Sequence, residues 1–140
     1  MSEDVERFVQ AQDHGEYERA LEEIRAGRKR THWIWYIFPQ AKGLGHSDLA
    51  WYYGIGSREE LAAYVAHPVL MPRLRTITEA LLSLPGNNPE AVFSWIDAKK
   101  VRSCMTLFAD ATGEPLFVRV LDKYYRGRYD ERTREVVAGW

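Results

Sequence analysis

Residues 28–47 concentrate the side chains best suited to holding an anion. The stretch opens on Arg28, Lys29 and Arg30, and runs through His32 into Trp33, Ile34, Trp35, Tyr36, Ile37 and Phe38. It ends in the loop Lys42-Gly43-Leu44-Gly45-His46-Ser47. Glycines let backbone N–H groups approach a phosphate, and a helix start favours negative charge. Arg30, Lys42 and His46 add cationic side chains, and the Trp33 or Trp35 ring could stack on a base. These features select Arg30, Trp33, Lys42, Gly43, Gly45 and His46 as the ligand-binding set. The chemistry they suit is binding or hydrolysis of a nucleotide- or ADP-ribose-like phosphorylated molecule. For an acid–base pair the candidates are His32, which adjoins both cations and aromatics, and Asp97, which stands near Lys99, Lys100 and Ser103. Each part also has a plainer explanation. An aromatic run fills cores, paired glycines make turns, and an Asp at a helix start serves as its cap.

Other reactive residues carry less. Cys104 shares a helical face with Val101, Met105 and Phe108, the setting of a small buried hydrophobe rather than a nucleophile. His32, His46 and His67 show neither i, i+4 spacing nor a partnering cysteine, so no metal site is expected and no cofactor is assigned. His67, just before Pro68, suits the orientation of a helix start.

Composition narrows the class. The chain of 140 residues is 46% hydrophobic and 13% aromatic, enough apolar surface to order one domain over residues 1–140. Nineteen Lys and Arg face twenty Asp and Glu, so no global field draws the chain to nucleic acid or an anionic membrane. No apolar run approaches membrane-spanning length, and the first residues lack a signal core. A lone cysteine fits a reducing compartment, and a cytoplasmic location is expected. Exposed aromatics such as Trp51, Tyr52, Tyr53 or Trp140 leave a non-catalytic interaction module or homodimer as the alternative function.

The elements that must position these residues are helical. Apolar spacing predicts helices over 3–12 and 16–26, the second closed by Gly27. Ser57 with Glu60 forms a capping box, and Leu70, Leu74, Ile77, Leu81 and Leu84 mark the most regular helix. Asp97 and Asp130 are expected to cap later helices, with Gly113 as a break between them. Residues 33–38 suit a buried strand or a buried helical turn, and the helical neighbours favour the turn. The expected architecture is all-α, one compact domain of about seven or eight short helices that is not a simple up-down bundle. Its core should include Phe8, Leu21, Trp35, Leu74, Ile77, Met105, Phe108 and Leu121.

Four segments together resemble a known family. They are His32 through Gln40 followed by Gly43-Leu44-Gly45; His67-Pro68-Val69-Leu70 with Arg73-Leu74; Ser103 through Phe108; and the ending Lys123-Tyr124-Tyr125-Arg126-Gly127 with Asp130 and Thr133. They are similar to the bacterial domain-of-unknown-function family eighteen-ten, whose members are often labelled "calpastatin". The resemblance spans most of the chain and implies an all-helical fold. A true calpastatin is a disordered protease inhibitor poor in aromatics, whereas this chain has five tryptophans, so the label reads as an inherited misnomer.

Overall fold

Caps and breakers set most of the element ends. In the computed structural model, which describes residues 4–140, Ser57 Oγ accepts from the Glu60 N–H at 3.0 Å and opens a helix. Asp130 does the same for the Thr133 N–H at 3.2 Å. His67 Nδ1 accepts from the N–H groups of Val69 and Leu70 at 3.1 and 3.3 Å, so the imidazole before Pro68 does orient a helix start. Gly27 closes the second helix with its N–H on Ile24 O at 2.8 Å. One cap differs from expectation. Ser94 Oγ accepts from the Asp97 N–H at 3.1 Å, so Asp97 lies inside the first turn and its carboxylate is left for other partners.

Among the described residues the chain forms ten helices and no strand. They are α1 (Glu6–Gln12), α2 (Glu16–Arg25), α3 (Ile34–Ile37), α4 (Asp48–Tyr52) and α5 (Arg58–Ala66), followed by α6 (Leu70–Leu82), α7 (Pro89–Val92), α8 (Trp95–Thr112), α9 (Pro115–Tyr125) and α10 (Glu131–Ala138). The helical reading at Glu3 lies outside the described residues. The count exceeds seven or eight because α3, α4 and α7 are little more than single turns.

The ambiguous run 33–38 is the helical turn α3, ended before Pro39. A helical turn puts residues 33, 34, 37 and 38 on one side, and Trp33, Ile34, Ile37 and Phe38 are all buried. Trp35 is thereby rotated outward and only half-buried, and Leu21 is likewise half-buried, so these two expected core residues lie at the core's margin. Trp33 takes the interior place instead.

The core is strung on α8, which packs against α9, α10, α7 and α3. Rings link four helices in sequence: Phe8 to Tyr64 at 5.2 Å, Tyr64 to Phe108 at 5.3 Å, and Phe108 to Phe117 at 5.9 Å between centroids. Cys104 is fully buried among them, and desolvation pushes its thiol pKa up, away from nucleophilic use.

Two polar clamps fix the segments that run over this core. Arg7 donates to the carbonyls of Tyr52 at 2.8 Å and Gly54 at 3.0 Å and pairs with Glu60, tying α1 to the chain between α4 and α5. A parallel bridge between Ala41 and Ile55 then closes the loop that carries α4. Gly54 is required there, since a Cβ would stand 2.5 Å from Lys42 Cα. The second clamp is Glu23. Its buried carboxylate accepts from Arg30 N at 2.7 Å, Thr31 N at 3.0 Å, Thr31 Oγ1 at 2.7 Å and Trp33 Nε1 at 2.9 Å.

Burial alone would raise the Glu23 pKa, but the four hydrogen bonds outweigh it and hold the carboxyl at about 2, against 4.5 ordinarily. Because the folded value lies below the unfolded one, this stabilisation is fully present above about pH 4.5. It is lost as the pH falls towards 2, and amounts to about 3 kcal/mol. Glu23→Gln is therefore expected to lose about 2–3 kcal/mol at neutral pH. The variant should also show a flatter fall in stability than the parent on acidification, checked by urea unfolding at a series of pH values. An equal acid dependence in parent and variant would show that the carboxylate is not the anchor.

Candidate functional site

The closed loop 41–55 brings residues 44–47 against the first half of α8 and the start of α10, and a cleft of about 520 Å³ opens between them. From the loop come Leu44, Gly45, His46 and Ser47. From α8 come Ile96, Lys99, Lys100, Arg102 and Ser103. The start of α10 adds Asp130 and Arg132.

Each wall is held by identifiable bonds. Arg102 donates through Nε to Arg128 O at 2.8 Å and through Nη2 to Tyr129 O at 2.7 Å, pinning the approach to α10 against α8. Thr106 Oγ1 accepts from the Asp130 N–H at 2.8 Å. Asp130 Oδ2 accepts from Ser103 Oγ at 3.1 Å and from Thr133 Oγ1 at 2.5 Å, in addition to its cap. On the loop side Gly45 packs so close that a Cβ would sit 2.7 Å from Ala50 Cβ. Its missing side chain is a requirement of loop packing, whatever else it does.

The electrostatics of the cleft are cationic. Lys99, Lys100, Arg102 and Arg132 face a single lining carboxylate, Asp130. Arg102 is anchored on neutral carbonyls, which orient its fork without cancelling its charge. Lys99 Nζ lies 4.6 Å from the Trp95 ring centroid and Lys100 Nζ lies 5.3 Å from that of Trp35. Lys100 also reaches Asp97 Oδ1 at 3.5 Å.

The sequence-derived candidates separate into three groups. Gly45 and His46 line the cleft. Lys42 and Gly43 belong to the same loop but not to its cleft face: Lys42 Nζ lies 5.1 Å from the Trp51 centroid, and Gly43 is exposed. Arg30, Trp33, His32 and Asp97 stand apart. Trp33 is fully buried with its indole N–H on Glu23, so it offers no face to a ligand. Arg30 is exposed, and its backbone N–H serves Glu23. His32 is exposed, its ring in no hydrogen bond among the described residues, and its carbonyl accepts from Tyr36 OH at 3.4 Å. Both oxygens of Asp97 are taken by ammonium groups, Oδ2 by Lys29 at 2.9 Å and Oδ1 by Lys100. No hydrogen bond joins His32 to Asp97 among the described residues.

Arg102 and Arg132 are cleft residues absent from the sequence-derived set, whereas Lys99 and Lys100 entered it only as neighbours of Asp97, and Asp130 only as a cap. Part of the signal was present. Ile96, Lys99, Lys100 and Ser103 fall at helical spacing on α8, across from the buried face of Val101, Cys104, Met105 and Phe108. Arg132 joins them only through tertiary packing. Among the described residues no three His, Cys, Asp or Glu side chains are placed to hold a metal ion, and no helix is long and apolar enough to cross a membrane.

The family model described as a protein of unknown function (DUF1810) matches residues 2–137. The chain belongs to this family. The crystal structure at 1.38 Å of the conserved hypothetical protein Rv1873 from Mycobacterium tuberculosis has the same fold, with a TM-score of 0.93. It is 47% identical in sequence over 97% of each chain. No curated protein matches. The DUF1810 chain described here, folded around a ring-rich core, is physically unlike a disordered calpastatin.

The Lys29–Asp97 pair gives a direct check on the role of Asp97. Both side chains are largely buried, at 9% and 16% exposure. Asp97→Ala strands the Lys29 ammonium and is expected to cost about 3–5 kcal/mol. His32→Ala, at an exposed position, should stay within about 0.5 kcal/mol of the parent. Chemical denaturation of both variants measures this, and an Asp97→Ala protein as stable as the parent would remove the structural role assigned here.

Proposed function

We propose that the cleft between the 44–47 loop, α8 and the start of α10 binds a small phosphorylated ligand of the nucleotide or ADP-ribose type. The observation that carries this reading is the convergence of Lys99, Lys100, Arg102 and Arg132 on one cleft with Asp130 as its one lining carboxylate. Asp130 is already committed, since Ser103 and Thr133 occupy its Oδ2. Cations that outnumber the carboxylates in a concave site favour an anion, although Lys100 also reaches Asp97, and phosphoryl oxygens match the donors that Arg and Lys present. The mixed wall suits a ligand with an organic part, because Leu44, Ala50 and Ile96 supply apolar surface beside the cations.

Binding is favoured over hydrolysis. Of the carboxylates nearest the site, Asp97 is held in two ion pairs and Asp130 accepts two hydroxyls on Oδ2. His46 is the imidazole among the lining groups. A second reading, a protein-interaction surface or homodimer contact, draws on the exposed side chains of Leu49, Trp51 and Tyr52 on α4.

Titration of the full chain with ADP-ribose and with inorganic phosphate, followed by amide chemical shifts, tests the proposal. Shifts are expected at 44–47, 96–103 and 130–132, and Arg132→Ala should weaken ADP-ribose binding by on the order of tenfold. Shifts confined to other regions, or none at millimolar ligand, would overturn it. A sedimentation coefficient that rises with concentration and is lost in Trp51→Ala would instead favour the interaction surface.

A further inference from the structure

We infer that the cleft selects a nucleotide carrying two linked phosphoryl groups, with Trp95 as the platform for its base; this rests on the phosphorylated-ligand reading above. The first ground is charge balance. Four cations face one carboxylate among the lining residues, a surplus of three positive charges. Asp97 does not reduce it, because Lys29 outside the cleft neutralises that carboxylate at 2.9 Å, closer than Lys100 at 3.5 Å. A phosphate monoester carries about −1.5 to −2 at neutral pH, and a second linked phosphoryl group adds about one more negative charge. The doubly phosphorylated form is the one that matches the surplus.

Placement agrees with the count. Lys99, Lys100 and Arg102 fall within one turn of α8, a rise of about 5 Å. Arg132 approaches from α10. Two adjoining phosphoryl groups can each meet cations from this arrangement, whereas one group would leave part of it unmatched. The carbonyl contacts of Arg102 use its Nε and Nη2 atoms, and Nη1 remains available to a ligand.

The second ground is the exposed ring at the lip. Trp95 is the first residue of α8 and is 58% exposed, an unusual place for so large an apolar side chain. Its neighbour Ile96, 50% exposed, lines the cleft. Lys99, which also lines the cleft, holds its ammonium 4.6 Å from the indole centroid, so the ring stands directly beside the cationic surface. The exposed indole offers a flat surface next to the lining residues Ile96 and Lys99, and stacking of a base on an aromatic side chain needs only a flat ring. The platform expected from sequence at Trp33 is thus supplied by Trp95.

Calorimetric titration of the full chain with inorganic pyrophosphate, ribose 5-phosphate, AMP and ADP separates the components. ADP should bind on the order of tenfold more tightly than AMP, reflecting the added charge. Trp95→Ala should lose on the order of tenfold for ADP and clearly less for pyrophosphate, which touches the ring only through Lys99. Trp95→Phe, which keeps a ring, should retain most of the ADP affinity, and an unchanged far-ultraviolet circular dichroism spectrum confirms folding. Equal affinity for AMP and ADP, or full ADP affinity in Trp95→Ala, overturns this inference and leaves phosphate binding standing. If none of the four compounds binds at millimolar concentration, the phosphorylated-ligand reading falls with it.

Discussion

The buried carboxylate of Glu23 is the constraint on which the candidate site depends. A carboxylate at 9% exposure is tolerable only when its oxygens are satisfied, and two backbone N–H groups, a hydroxyl and an indole satisfy them here. These donors come from residues 30–33, so one side chain on α2 dictates the path of the chain as it leaves that helix. Fixing the Trp33 indole then fixes the face of α3 that turns inward. Lys29, at the start of the same stretch, is delivered to Asp97 on α8, and its backbone N–H bonds Val92 O at 2.8 Å. The first half of the region that looked most like a ligand site in sequence is therefore the segment that docks α2 and α3 onto α8.

The same stretch shows where sequence reading succeeds and where it stops. The helices were legible because their signals are local. Ser57 with Glu60, His67 before Pro68, Gly27 and Asp130 each act within a few residues of themselves, and each does in the fold what its type and position indicate. The aromatic run was harder, since strand and helical turn both bury alternate sets of its rings and only the partner decides. Trp33 is core rather than platform, and Trp35 lies at the core's margin, because the hydrogen bond to Glu23 sets the phase of the turn. That bond spans ten residues and leaves no periodic trace. Asp97 misled for a related reason: Ser94, three residues earlier, takes the capping place and releases the carboxylate to Lys29.

Of the candidate site, the loop was legible and its opposite wall was not. Gly45 and His46 could be picked out from local composition. Lys99, Lys100 and Arg102 sit in a helix whose reading was dominated by its buried face, and Arg132 lies on a different helix altogether. Their convergence needs the α8–α10 packing, which rests on hydroxyls rather than on apolar pattern. Ser103 and Thr106 are buried polar residues of α8 that reach across to Asp130, one through its carboxylate and the other through its N–H. Two small hydroxyls among the buried residues of an amphipathic helix are a weak sequence signal, and their strict placement appears only once the partner is present.

A chain with net charge −1 can still hold a concentrated positive surface, because charge acts locally across short distances and is screened beyond about 10 Å at moderate salt. The acidic residues here are largely spent elsewhere. Glu23 holds the α2–α3 passage, Glu60 binds Arg7, Glu114 pairs with Arg75, and Asp110 pairs with Arg134. Glu60, Glu114 and Asp110 are paired with arginines away from the cleft and Glu23 is held by neutral donors, while Arg102 is oriented by carbonyls and Lys99 by an indole. Such neutral supports cost less desolvation than a buried ion pair and leave the cation's field directed outward. Arg102 and Lys99 are therefore held in place without being cancelled, which is the condition an anion site requires and which ordinary surface ion pairing would abolish.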